Sequence, residues 1–514
     1  VIGMNATQAA AITNSIDNAT MTLALTTATG SADVLGVTLA NATATASADL
    51  TAATVTGFET MNVVSSSGSS ADINALAFAA AGNLTALNLS GAKPISVNTA
   101  NITSAVAISA ANLTYAGSTA TDYALTITGA TASGSTVTGS AAADSITVSA
   151  TTGTIYDAGA GNDMITAAVA NLVATGADDN KINGGAGTDT LTISDAAPTL
   201  TDNHFTWMSN VEKILVGTGT STITTGAGFN TAFATGATIT TGTLTAGNEL
   251  VLNAGLTSVD MTVVIDATGL VGIATELPVI TTGSGADTVS FTGSATYVGV
   301  AGAAQGEIVI STGAGADTIS VTVGTLVSNG ATTGNAITIT GGTGADSITK
   351  VGTNSAFVTS ATQFVMASGD SNAVAGQYDS ITGFDVANTT LSDVLDFAGA
   401  GAVGTLATST DFGTILSHSL TAGVATFDDA AVFAAAVVVN ATNLADVIGY
   451  LAANTATADA IAFAYDSDAS GTADATMVYS NQATDSLVML VGVTGVASLN
   501  ATLTTATANC VAIA

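Results

Sequence analysis

A glycine-rich turn, repeated in one frame, restricts this chain more than any other feature. Five segments carry it: Ala158-Gly-Ala-Gly-Asn-Asp-Met-Ile165, Gly184-Gly-Ala-Gly-Thr-Asp-Thr-Leu191, Thr282-Gly-Ser-Gly-Ala-Asp-Thr-Val289, Thr312-Gly-Ala-Gly-Ala-Asp-Thr-Ile319 and Gly341-Gly-Thr-Gly-Ala-Asp-Ser-Ile348. A sixth, Gly139-Ser-Ala-Ala-Ala-Asp-Ser-Ile146, is degenerate, and Gly30-Ser-Ala-Asp-Val-Leu35 is a shorter echo. Each reads as a turn, then one aspartate, then an aliphatic residue two positions on. Glycine admits positive φ and lets a turn aim its carbonyls inward. The aliphatic residue starts a strand whose side chain enters a core.

Spacing decides whether the turns can stack. The aspartates at 287, 317 and 346 are 30 and 29 residues apart, and those at 144, 163 and 189 are 19 and 26 apart. A step near thirty predicts one motif per coil of a parallel β-solenoid, with neighbouring turns ~4.8 Å apart. Carbonyl and carboxylate oxygens, without nitrogen or sulfur, suit Ca²⁺, which takes six to eight oxygens at ~2.3–2.6 Å. One turn offers too few; two stacked turns offer enough. The candidate ligands are Gly159, Gly161, Asn162 and Asp163; Gly184, Gly185, Gly187 and Asp189; Gly283, Gly285 and Asp287; Gly313, Gly315 and Asp317; Gly341, Gly342, Gly344 and Asp346; and Asp144 of the degenerate turn. Bare stacked carboxylates would repel here, because 37 acidic residues face 4 basic ones and the net charge is 4 − 37 = −33. Calcium is therefore expected to be part of the fold.

The same charge excludes several functions. The basic residues are Lys93, Lys181, Lys213 and Lys350, and there is no arginine. Nucleic-acid binding lacks its cationic footprint, and so does a polybasic membrane contact. Mean hydropathy is +0.55, but the longest run without a polar residue is Ala430–Val439. Ten residues fall short of the ~20 that span a bilayer as a helix. The single cysteine, Cys510, precludes an intrachain disulfide; it reads as inert, or as an exposed tail thiol able to join two chains. No classical signal peptide is read at Val1.

The nonapeptides Gly184–Thr192 and Gly341–Thr349 resemble the RTX (repeats-in-toxin) calcium-binding motif in full, and the other turns replace its first glycine by Thr or Ala. The repeats are dispersed rather than tandem, which favours a coil wider than the usual β-roll. The resemblance implies type I secretion through an uncleaved C-terminal signal. A second pattern is Val55-Thr-Gly-Phe-Glu-Thr-Met-Asn-Val63 and Met208-Ser-Asn-Val-Glu-Lys-Ile-Leu-Val216, centred on Glu59 and Glu212, with Asn83–Gly91 after the first. With it, Asp379-Ser-Ile-Thr-Gly-Phe-Asp385, Asp393-Val-Leu-Asp-Phe397, Ala460–Gly471 and Asp485–Thr494 are similar to parts of Gram-negative surface-layer proteins that carry RTX-type sites. That resemblance implies a closing calcium turn at Asp379 and Asp396, whereas the residues alone read Asp379, Asp385, Asp393 and Asp396 either as solvated loop acids or as a further site.

The remaining motifs are weaker. Asp466-Ser-Asp-Ala-Ser-Gly471 opens like an EF-hand loop, but its twelfth position is Met477 rather than glutamate, so it reads as a hairpin turn or a weak calcium site. Thr442–Ala452 places Leu444, Val447, Ile448 and Leu451 at helical spacing. Asn-x-Thr triplets at Asn5, Asn18, Asn41 and Asn83 read as chance in this composition, or as glycosylation acceptors if the source cell supports them. The histidines are His204 and His418, and neither a His-Glu-x-x-His nor a Gly-x-Ser-x-Gly motif occurs; His204, beside Phe205 and Trp207, reads as packing. An enzyme is not expected.

The chain is thus expected to be all-β: a parallel β-solenoid with RTX-like calcium turns and a small mixed α/β C-terminal module. The segments are 1–135, a β-rich solenoid region; 136–350, the calcium-binding solenoid; 351–400, a closing calcium turn; and 401–514, the C-terminal module with its secretion signal. The expected function is a cell-surface layer (S-layer) that self-assembles into a Ca²⁺-stabilised lattice. A type-I-secreted adhesin or biofilm-matrix fibre is the alternative. The expected partner is the chain itself, with lipopolysaccharide held by a region not evident here.

Overall fold

The computed structural model describes the chain apart from residues 1, 5–11, 16–18, 27–29, 31, 116, 118–120, 174–175, 177–178, 246, 271–277, 295, 299–307, 328–336, 356–361, 375, 387–392, 398–401, 408–409 and 501–509. The triplets at Asn5 and Asn18 lie outside the described residues. Strands hold 47% and helices 6%, so the all-β expectation stands. The chain divides into two compact units, Val1–Gly217 with Ala227–Ala237, and Thr218–Gly226 with Thr238–Ala514.

In the first unit the chain alternates between two parallel ladders. One takes Val34–Leu39, Thr60–Ser65, Ala86–Gly91, Ala107–Leu113, Thr136–Thr138, Ile155–Asp157 and Lys181–Asn183 in succession. The other takes Leu125–Thr128, Ser145–Thr147, Met164–Ala167, Thr190–Ile193 and Lys213–Val216. Each coil gives one strand to each ladder, which is a β-solenoid. The alternating pattern in the sequence explains the burial, because successive strand side chains point to opposite faces. The inward residue of each strand sits on its counterpart one coil away: Ile127, Ile146, Ile165, Leu191 and Ile214 form one column, all fully buried. Each such side chain contributes about 1.5–3 kcal/mol of burial.

Coil length is not constant, contrary to the expected step near thirty. The connection after Ser145–Thr147 spans 148–154 and that after Met164–Ala167 spans 168–180, yet the strands on either side stay in register. Extra residues enter the connections because only the strands are tied to the ladders.

The second unit repeats the device. Met261–Ala267, Thr288–Gly293, Thr318–Val327, Ser347–Ser355 and Asp379–Thr382 pair in parallel order. Opposite them run Ser221–Thr224, Leu250–Asn253, Val279–Thr281, Ile308–Ser311, Ile337–Thr340, Thr362–Val365 and Val394–Asp396. The columns are again aliphatic: Val263, Val289, Ile319, Ile348 and Ile381 on one side, and Leu252, Ile280, Ile310 and Ile339 on the other, all fully buried.

Asp379–Thr382 pairs onward, again in parallel, with Ser486–Val491. Ser486–Val491 is antiparallel to Ala475–Ser480, itself antiparallel to Asp459–Tyr465. This sheet occupies an edge that would otherwise offer unpaired backbone groups. The helix Leu444–Asn454 buries Leu444, Val447, Ile448 and Leu451 in a cluster with Phe427, Phe463, Met477 and Leu487. The helical spacing in the sequence thus describes a real element of a mixed C-terminal module. Cys510 is not an exposed tail thiol: it lies on Cys510–Ile513, 4% exposed and paired opposite Asp396 of the strand Val394–Asp396.

Candidate metal centre

The aspartates of the glycine turns open the strands of one ladder in each unit, and they are chained through the backbone. In the first unit the carboxylate of Asp144 accepts the Leu125 N–H at 2.9 Å, that of Asp163 the Asp144 N–H at 2.7 Å, and that of Asp189 the Asp163 N–H at 2.8 Å. Glu212 Oε2 then accepts the Asp189 N–H at 2.7 Å. In the second unit Asp287 accepts from Met261 at 2.8 Å, Asp317 from Asp287 at 2.7 Å, Asp346 from Asp317 at 2.9 Å and Asp379 from Asp346 at 2.9 Å. Ser371 Oγ takes the Asp379 N–H at 2.7 Å. The expectation that Asp287, Asp317 and Asp346 stack is met, and steps of 19 and 26 residues stack as well.

Each carboxylate spends Oδ1 on its neighbour. The second oxygens of Asp163, Asp189, Asp287, Asp317, Asp346 and Asp379 are buried and have no hydrogen-bond partner. A buried carboxylate with an orphan oxygen is costly as an anion. Burial pushes Asp163 up to about 8, with the charges of Asp144, Asp189 and Asp157 adding to the rise. It pushes Asp317 to about 6, Asp346 to about 7 and Asp379 to about 8, and neighbouring aspartates again add. Asp189 and Asp287 rise for the same first reason. Among the described residues the only cation paired with an acid is Lys350, which serves Asp385 and Asp393 and not the rows. The rows therefore need protons or an external cation.

Asp144 is different. Ser140 stands four residues before it, where the intact turns have Gly159, Gly185, Gly283, Gly313 and Gly342. The Ser140 N–H donates to Asp144 Oδ2 and the Ser140 hydroxyl to Oδ1, so Asp144 has no orphan oxygen, although burial still raises it to about 6.

Four of the five glycine turns share one conformation, and Gly283 and Gly285 of the fifth lack its positive φ. Gly159, Gly185, Gly313 and Gly342 have φ between 89° and 101°, and Gly161, Gly187, Gly315 and Gly344 between 127° and 155°. A Cβ at Gly187, Gly315 or Gly344 would lie 1.7, 1.9 or 1.5 Å from the carbonyl oxygen of Gly161, Gly285 or Gly315 one coil away. Gly184 and Gly341 press on the carboxylates of Asp189 and Asp346, where a Cβ would meet Oδ2 at 2.6 and 2.2 Å. The carbonyls of Gly159, Gly283 and Gly313 are engaged by the N–H groups of Ala186, Ala314 and Thr343. What each interval offers is therefore a partnerless carboxylate oxygen beside a close-packed row of glycine carbonyls. That all-oxygen donor set fits a hard cation such as Ca²⁺.

Other candidates fall elsewhere. The amide oxygen of Asn162 accepts the Thr188 N–H at 2.9 Å on the surface. Asp396 is on the ladder opposite Asp379, where it accepts from Gln363 Nε2, so the two do not form one closing turn. Asp385 and Asp393 both face Lys350.

The structure gives three features a place that sequence reasoning did not. Glu212 and Glu59, the centres of the second pattern, take the same part as the aspartates: Glu212 ends the first row by accepting the Asp189 N–H, and Glu59 Oε2 accepts the Asp33 N–H at 2.9 Å. Asp379, expected in a closing calcium turn, belongs to the row of the second unit, and its Asp-Ser-Ile start, shared with Asp346 and Asp144, was the signal for that place. Asp474 joins Asp466 and Asp468 in the one group of three acids within 4.8 Å of one another among the described residues. Asp474 is the ninth position of the EF-hand-like frame, and Gly471, the sixth, holds φ +88°. Asp466 there accepts the N–H groups of Ser470 and Gly471, and Asp474 that of Ser467.

No protein-family model matches the chain, and no curated protein and no solved structure matches it.

Proposed function

We propose that the chain is a calcium-binding structural protein of a cell surface, whose copies assemble into a two-dimensional layer. The observation that carries the calcium reading is the set of six buried aspartates with a partnerless oxygen. Asp163 and Asp189 in the first unit, and Asp287, Asp317, Asp346 and Asp379 in the second, would hold the ions together with carbonyls of the glycine turns. Bound Ca²⁺ supplies the positive charge that the rows lack and ties successive coils together.

Three things support the structural part. A β-solenoid is a stiff, repetitive body suited to bearing load. The net charge of −33 keeps calcium-free copies apart, and cation binding relieves that repulsion. The turns resemble those of surface-layer proteins. Location outside the cell and secretion follow from that resemblance.

The test is electron microscopy of the purified chain with calcium and after chelation, alongside metal analysis and far-UV circular dichroism. Ordered sheets with bound calcium, lost on chelation, are expected. Fibres in place of sheets would favour the adhesin or matrix alternative. A chain that binds no calcium and keeps its lattice and β-structure in chelator overturns the reading.

A further inference from the structure

Lys350 is one of four basic residues and the only one buried in a core, at 2% exposed. It lies on the strand Ser347–Ser355 and shares the inward face with Ile348. Its Nζ is 2.5 Å from Asp393 Oδ2 and 3.3 Å from Asp385 Oδ2. The Lys350 and Asp393 side chains are wholly buried, while that of Asp385 is 39% exposed. The two acids hold each other, the Asp385 N–H donating to Asp393 Oδ2 at 2.9 Å and the Asp393 N–H to the Asp385 carbonyl at 3.1 Å. Gly383 brings this loop against the lysine: its φ is +80°, and a Cβ there would sit 2.0 Å from the Lys350 carbonyl oxygen.

We propose that Lys350 and Asp393 condense into an internal amide bond, with Asp385 moving the proton. An amine and a carboxyl held in contact, away from water, with a second carboxylate on the nitrogen, are the groups this reaction needs. As an ion pair they are poorly placed, because both charges have lost their hydration. Burial pushes the Asp393 carboxyl up, against the opposing pull of Lys350, which favours the neutral acid. Proton transfer within the pair gives a free amine and a carboxylic acid. The Nζ lone pair attacks Cγ of Asp393 and the N–C bond forms. Asp385 accepts a proton from that nitrogen and delivers it to the departing hydroxyl. The C–O bond breaks and water leaves, so no oxidant or co-reactant is required. The product is uncharged, and no buried ion remains. The bond would join the ladder carrying Lys350 to the segment leading into the opposite ladder at Val394, independently of any metal.

The test is the intact mass of the denatured full chain, followed by tryptic digestion and tandem mass spectrometry. The expected chain is lighter than its sequence by one water. Trypsin fails to cut after Lys350, and a branched peptide joins residues 350 and 393. Lys350→Met and Asp393→Ala are expected to restore the full mass. Asp385→Asn keeps both reacting groups and is expected to slow bond formation about a hundred-fold after refolding. A wild-type chain of full mass that trypsin cleaves after Lys350 overturns the proposal, and so does a water loss that survives Lys350→Met. The wild-type measurement decides even if a variant fails to fold.

Discussion

In the first unit the aspartate row starts at Asp144, whose oxygens are satisfied by Ser140 and Leu125, and ends at Glu212. In the second unit Asp287, Asp317, Asp346 and Asp379 follow one another unbroken, each with a partnerless oxygen. Asp144 sits in the degenerate turn, with Ser140 four residues before it, where the turns of Asp163, Asp189, Asp287, Asp317 and Asp346 have glycine. In the degenerate turn the Ser140 N–H reaches Asp144 Oδ2 and its hydroxyl reaches Oδ1; in the turns with glycine there, the second oxygen has no partner. The second unit has four such oxygens in one unbroken row, against three in the first, on Asp33, Asp163 and Asp189.

Calcium removal should expose that difference most strongly. At a hundred-fold excess over Kd, each occupied site adds about 2.7 kcal/mol to the folded state. Hydrogen exchange at pH 8, with calcium and with chelator, is expected to show the larger loss of protection in Thr288–Gly293 and Ser347–Ser355. Ser145–Thr147, beside the self-satisfied Asp144, should lose the least. Equal loss in both units would break the comparison.

Acidity probes the same sites in the metal-free chain. A carboxyl whose pKa is raised by folding binds its proton more tightly folded than unfolded. Its contribution therefore favours the fold in acid and is lost as pH climbs. The window opens near the ordinary value of 3.8 and closes at about 6 for Asp317, about 7 for Asp346 and about 8 for Asp163 and Asp379. In chelator, Tm is expected to fall by roughly 5–10 °C from pH 4 to pH 8. Saturating calcium should remove the fall, because the cation replaces the proton. A chelated chain that gains stability across this window would show that the carboxylates have an unseen positive partner.

Much of this was legible in the sequence, for local reasons. An aspartate followed two residues on by an aliphatic marks the start of an inward-facing strand at Ile146, Ile165, Leu191, Val289, Ile319 and Ile348. The spacing of Leu444, Val447, Ile448 and Leu451 marks the helix. What stayed hidden depends on register between coils. Asp144 and Asp379 were legible as candidates, but not their places in the rows, 19 and 33 residues from their neighbours, because the connections absorb the change in step. Glu59 and Glu212 lie in a different local frame, yet their longer side chains reach the same N–H one coil away. Lys350 and Asp393 are 43 residues apart, and only the closure of the coil brings them together.

Replacing one carboxylate in each unit by its amide separates the two environments by sign. Asp317→Asn keeps an oxygen for the Asp287 N–H and removes a buried charge. Metal-free stability at pH 8 is expected to rise by about 1 kcal/mol, after allowance for screening, while calcium affinity falls. Asp144→Asn turns an amino group toward the Ser140 N–H or sacrifices the bond to Leu125. It is expected to cost about 1–2 kcal/mol with or without calcium. Urea denaturation of both variants in chelator checks this, and shifts of the same sign would mean that the serine and glycine turns are equivalent.

The smallest effect belongs to Glu212→Gln at the end of the first row. Glutamine has the same length and keeps an oxygen for the Asp189 N–H, so the backbone contact survives. What disappears is one negative charge, which now adds to the upward push that burial exerts on Asp189. The two consequences oppose little in the metal-free chain, and the change in stability should stay within about 0.5 kcal/mol. Glu212→Ala removes the acceptor and leaves the Asp189 N–H unmatched, so it should cost about 1 kcal/mol more than the glutamine variant. If glutamine and alanine prove equally damaging in chelator, the charge of Glu212 matters to the metal-free fold more than its hydrogen bond. The first unit would then already depend on an ionic partner, as the second is expected to.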